Sequence, residues 1–128
     1  MFYDRKWDGI SEPNLDHAIV ALRPDARMWR ITQTNGMMVI DEWIDESNQD
    51  PPTPEEVVQK FRELMEIYQY DQYARDRQEM YGTIGEQLDM LFKDIESNNL
   101  TNGEWVNRIR KVKNTIPVNP NPRPDYTY

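Results

Sequence analysis

Ala26-Arg-Met-Trp-Arg-Ile-Thr-Gln-Thr34-Asn35-Gly36-Met37-Met-Val-Ile-Asp-Glu-Trp-Ile44 decides the fold. Asn35-Gly36 is the pair best suited to the two positive φ values of a type I′ turn, and both flanks are rich in Trp, Ile, Val, Thr and Met. The reading is a β-hairpin. Counting outward from the turn sets Thr34 against Met37, Thr32 against Val39, Arg30 against Asp41 and Met28 against Trp43 on one face. Gln33 with Met38, Ile31 with Ile40 and Trp29 with Glu42 share the other. Strict alternation then turns Trp29, Ile31, Met38, Ile40 and Ile44 toward the core. Two strands are marginal in water, so this hairpin must lean on a helix or on another chain.

Helices flank it on both sides. Leu15, Ala18, Ile19 and Leu22 fall at helical spacing behind the cap candidate Asn14, and Pro24 stops the pattern. Residues 45–52 are polar and proline-containing and read as a linker. Thr53 with Glu56 is then a capping box, with Pro54 at the first helical position. Val57, Phe61, Leu64, Met65, Tyr68, Tyr73 and Met80 carry the pattern to Tyr81, which predicts one helix about 40 Å long. Thr83 with Glu86 and Thr101 with Glu104 repeat the box. The two helices they open should pair antiparallel, with Leu88, Leu91, Phe92 and Ile95 facing Trp105, Ile109 and Val112. The expected fold class is α+β, mainly α. Its parts are an extended arm (1–13), a helix-plus-hairpin module (14–50), a helical module (51–117) and an extended, Pro-rich tail (118–128).

Composition restricts what such a chain can do. The 128 residues are 38% hydrophobic and 30% charged, with a mean hydropathy of −0.92, so much of the surface faces solvent or a partner. Fifteen Lys and Arg against 23 Asp and Glu leave a net charge of −8, which opposes binding to a phosphate backbone, and nucleic acid is not an expected partner. No apolar run approaches the roughly 18 residues of a membrane span. The absence of cysteine removes disulfides, thiolate metal sites and cysteine nucleophiles, and the single histidine, His17, removes two-histidine metal sites. The first residues lack the basic-then-apolar layout of a signal peptide, so action where the chain is made is expected.

The residues that could carry chemistry have simpler readings. Asp45 and Glu56 stand at the ends of a calcium-loop spacing, but Asp50 occupies the position that needs Gly, Pro51 follows, and Glu56 belongs to the capping box. Asp71 with Asp76, and Asp89 with Asp94, are five apart and lie on different sides of a helix. His17 has no nucleophile elbow to serve, and Gly82 and Gly85 are not followed by a phosphate-binding lysine. The expectation is a non-enzyme without cofactor or metal. What remains is aromatic surface. Tyr70, Tyr73 and Arg77 are of the types enriched in interface hot spots and project around the long helix. Phe2, Tyr3 and Trp7 in the arm, with Pro122, Pro124, Tyr126 and Tyr128 in the tail, are expected to dock on a partner.

At Tyr73-Ala74-Arg75-Asp76-Arg77, Tyr81, Ile84-Gly85-Glu86-Gln87-Leu88-Asp89-Met90-Leu91, Trp105, Val112-Lys113 and Pro117, the chain resembles a group of small tailed-phage proteins of marine and cyanobacterial phages. A Tyr-x-Arg-Asp-Arg … Ile-x-Glu-Gln-Leu-Asp … Val-Lys-x-x-x-Pro module closes those chains; Gly82 stands here where proline is usual. The resemblance spans about residues 18 to 117 and brings no catalytic residues. It implies a structural component of the virion, an adaptor or decorating subunit of the tail or tail fibres, bound to other phage structural proteins or to itself. The alternative it implies is an assembly chaperone absent from the finished particle.

Overall fold

The structure is a computed structural model that describes residues 6–128. It is α+β and mainly helical. The element order is α1 (Leu15–Leu22), β1 (Ala26–Thr34), β2 (Met37–Asp45), α2 (Pro54–Tyr70), α3 (Gln72–Tyr81), α4 (Ile84–Glu96) and α5 (Glu104–Thr115). The chain divides into two compact units. The first runs to Gln69 and takes in Arg123–Tyr128; the second is Tyr70–Pro122. The division therefore runs beside the α2–α3 junction rather than through the 45–52 linker, and α2 belongs with the hairpin.

In the first unit, Asn35 and Gly36 take φ of 53° and 77°, and β1 pairs antiparallel with β2 in the expected register from Thr34–Met37 to Arg30–Asp41. Beyond that pair the register departs from simple alternation. Met28 pairs with Ile44 instead of Trp43, and Ala26 with Asp45, so β2 holds an extra residue at Glu42–Trp43 and β1 one near Arg27. Glu42 sits at φ 52°, a left-handed conformation that costs a non-glycine residue about 1–2 kcal/mol. The bulge swaps two side chains. Trp43 packs with Trp29, Ile31, Met38 and Ile40 against the core, while Ile44 is exposed. Trp43 Nε1 donates to Gln49 O at 2.7 Å and its ring lies 6.4 Å from that of Trp29, contacts that offset the strain.

The core of this unit is Trp7, Ala18, Ile19, Val57, Leu64 and Ile67. Two caps start its helices as expected. Asn14 accepts from His17 N–H while its own N–H donates to His17 Nδ1, and Thr53 and Glu56 exchange side-chain-to-backbone bonds at 3.1 and 3.2 Å. The Glu56 carboxyl is held below its usual range chiefly by the Thr53 N–H. Trp29 Nε1 donates to Asp16 at 2.7 Å and ties the hairpin to α1.

The long helix predicted to Tyr81 is present but bent at Asp71, which divides it into α2 and α3. Asp71 takes φ −81°, ψ 5° and caps α3 through its carbonyl, which accepts from Ala74 and Arg75 N–H. Asp competes with helical hydrogen bonding, and Tyr68, Tyr70 and Tyr73 point too many ways to be buried along one straight helix. Past Tyr81, Gly82 adopts φ 85°, a conformation closed to proline.

In the second unit α5 packs on both α3 and α4. Thr83 caps α4 by accepting from Glu86 N–H at 3.1 Å. The expected Thr101 box does not start α5. Its N-cap is Gly103, and Asp94 of α4 supplies the missing acceptor, its two oxygens taking Glu104 N–H at 3.0 Å and Trp105 N–H at 2.9 Å. Asp94 is only 5% exposed. A Cβ on Gly103 would lie 2.2 Å from Asp94 Cγ and 2.4 Å from Asn99 O, so close approach demands glycine there.

Candidate functional site

Most of the aromatic residues expected to meet a partner are engaged within the chain. Phe2 and Tyr3 lie outside the described residues. Trp7 is 2% exposed and belongs to the core. Its Nε1 donates to Ser11 O at 2.7 Å, and the Tyr128 ring packs edge-on at a centroid distance of 4.8 Å. The arm is not extended over its described part: Asp8 Oδ1 accepts from Ile10 N–H, Ser11 N–H and Ser11 Oγ at 2.8–2.9 Å and folds it into a turn. Those donors, Ser11 N–H foremost, hold the Asp8 carboxyl below its usual range.

The tail has no helix or strand but returns to its own chain. Tyr126 and Tyr128 are half-buried against the first unit's core. Tyr126 donates to Glu66 Oε2 at 2.8 Å and Lys60 Nζ donates to Thr127 O at 3.2 Å. The Glu66 carboxylate holds the Tyr126 phenol above its ordinary value. Pro124 is half-buried and Pro122 exposed. In the second unit Tyr70 donates to Asn121 O and meets Tyr73 edge-on at 6.1 Å. Arg77 lies 5.7 Å from the Tyr73 ring centre and donates to Ile116 O at 2.7 Å. Trp7, Tyr70, Tyr73, Tyr126 and Tyr128 thus find contacts within the chain itself.

The titratable groups weighed for chemistry also have structural work. His17 Nδ1 closes the α1 capping box. Asp45 is buried, and its Oδ2 accepts from Gln49 N–H at 2.9 Å while Oδ1 has no hydrogen-bond partner among the described residues. Among those residues no three His, Cys, Asp or Glu side chains converge as a metal would need, and no helix is long and apolar enough to cross a membrane. A surface depression is lined by Arg75, Gln78, Glu79, Gly82, Thr83 and Glu86, and Thr83 in it is occupied as the α4 cap.

The surface that composition and spacing missed is apolar and lies elsewhere. Of the four α4 residues assigned to the helix-pair core, only Leu91 is half-buried; Leu88, Phe92 and Ile95 are 59%, 57% and 55% exposed, and Ile84 is 76% exposed. Met90 and Asp94 take the inner side instead, while the expected α5 contribution stands, with Val112 buried and Trp105 and Ile109 half-buried. The reason is the Asp94 cap: an α4 rotated to hide Phe92 and Ile95 would strip the α5 N-terminus of its acceptor. In the first unit the hairpin's outer face carries Met28, Met37, Val39 and Ile44 exposed around the Arg30–Asp41 ion pair. A bidentate contact at 2.9 and 3.1 Å raises the Arg30 value and lowers that of Asp41. Comparison of the chain with protein-family models, with curated proteins and with solved structures finds no match.

Proposed function

We propose that this protein is a non-enzymatic interaction subunit, a small adaptor or decorating component of a tailed-phage tail or its fibres. The reading is supported by one observation: each compact unit carries an exposed apolar face, the outer side of the hairpin in one and the α4 stripe in the other. Contiguous exposed apolar surface on a folded chain marks a place that something else covers. The phage assignment rests on the resemblance at Tyr73–Arg77, residues 84–91 and Val112-Lys113, while Trp7, Tyr126 and Tyr128, which looked like attachment points, pack within the first unit.

Quantitative mass spectrometry of purified particles tests the reading. The protein is expected at a fixed copy ratio to the tail proteins. Presence in infected cells with absence from particles makes it the assembly chaperone, and the adaptor reading falls.

A further inference from the structure

We infer that the outer face of α4 seats one cationic amphipathic helix of a partner protein, a conclusion that rests on reading the chain as an interaction subunit. Ile84, Leu88, Phe92 and Ile95 recur at spacings of four, four and three and are all more than half exposed. They form one stripe about 17 Å long at the helical rise. Met90 and Asp94 lie on the other side of the helix and are buried, so α4 has one side for its own unit and a second for something else. Gly85 borders the stripe on its acidic side. A Cβ there would meet nothing nearer than Thr83 Oγ1 at 3.9 Å, so internal packing does not call for a glycine, whereas a helix laid across the stripe gains a close backbone approach.

Charge selects the occupant. Helical geometry puts Asp89 and Glu96 along one edge of the stripe, with Glu86 behind them and Lys93 paired to Asp89 at 3.7 Å. The other edge carries Leu91 and Gln87, both uncharged and half-buried. A second copy fits this poorly: a two-fold antiparallel pairing lays the edge of Glu86, Asp89 and Glu96 against itself, with one Lys93 per copy against three carboxylates. The cations of α5, Arg108, Arg110 and Lys111, are exposed without an exposed large apolar neighbour on that helix, among the described residues. A partner helix with apolar residues at i, i+4 and i+7 and Lys or Arg along one flank meets both the stripe and its acidic edge.

The test uses the full chain and fluorescein-labelled 18-residue helical peptides, one with a Leu face and Lys flanks and one with the same face and Glu flanks, read by fluorescence anisotropy. Wild type is expected to bind the Leu/Lys peptide at least tenfold more tightly than the Leu/Glu peptide. Leu88→Asp/Phe92→Asp, at exposed positions, should keep its circular dichroism and lose at least tenfold in affinity although it gains two negative charges. Asp89→Asn/Glu96→Gln should narrow the Lys-over-Glu preference several-fold. If the double aspartate variant binds Leu/Lys as tightly as wild type, attraction is bulk charge and the seat is wrong. A wild-type dimer by sedimentation that Leu88→Asp/Phe92→Asp turns into monomer makes a second copy the occupant and also overturns it. Either failure leaves the particle copy ratio unaffected, so this inference and the adaptor reading fail separately.

Discussion

Replacing Tyr128 by alanine should cripple the first unit, although a free tail would make the change silent. The ring packs edge-on against Trp7 at 4.8 Å and 63°, and Gly9 lies so close that a Cβ there would stand 2.7 Å from the Tyr128 hydroxyl. A half-buried tyrosine removes on the order of 100 Å² of apolar area from water, about 2.5 kcal/mol at the usual coefficient. The edge-to-face pair adds about 0.5–1.5 kcal/mol, for a total of about 3–4 kcal/mol. In a unit of this size that lowers the melting temperature by on the order of 15 °C. Near-UV circular dichroism follows the melt, and acrylamide quenching reports whether Trp7 has become accessible. A Tyr128→Ala protein that melts within about 2 °C of wild type, with unchanged quenching, would show that residue 128 is not part of the core and would restore the free-tail reading.

Other perturbations probe the remaining features. Asp94→Ala should cost about 1–3 kcal/mol by uncapping α5, and Gly103→Ala should also destabilise because its Cβ collides with the same carboxylate; urea unfolding followed at 222 nm measures both. Glu42→Gly should stabilise by up to about 1 kcal/mol by relieving the left-handed backbone, while Glu42→Val should destabilise, as differential scanning calorimetry will show. Asp8, Asp41 and Glu56 are all held below the usual carboxylate range. Their contribution is therefore complete above the unfolded values near pH 4–4.5 and is lost as pH falls through the lower folded values; Arg30→Gln should remove the Asp41 share of that acid sensitivity. Tyr126 behaves oppositely. Its raised phenol value gives stability present below about pH 10 and lost as pH rises further, a loss that Tyr126→Phe should abolish in alkaline melts.

The hairpin was legible near its turn because Asn35-Gly36 has one good conformation and sets the register locally. It stopped being legible past Arg30–Asp41, since a bulge built on a left-handed glutamate leaves no mark in composition, and that bulge alone decides whether Trp43 or Ile44 goes inside. Caps were readable where donor and acceptor are three residues apart, at Asn14, Thr53 and Thr83. The α5 cap was not, because its acceptor, Asp94, is ten residues away from Glu104. The same carboxylate explains the misassigned α4 face: apolar residues cover a wide arc of that helix, and only the tertiary position of Asp94 shows which edge turns inward. For Trp7, Tyr126 and Tyr128, Pro-rich and charged surroundings looked like free arms. Whether an aromatic finds its partner in its own chain is a matter of long-range packing that no local pattern records.

Hydroxyl-radical footprinting of the free protein and of the protein within purified particles tests most directly the claim that apolar faces, not the aromatic termini, meet the partner. In the free protein Met37, Leu88 and Phe92 should oxidise readily while Trp7 is protected, and on assembly the hairpin or α4 residues should lose their reactivity. Equal oxidation of Trp7 and Phe92 in the free protein, or undiminished oxidation of Met37, Leu88 and Phe92 in the particle, would contradict it.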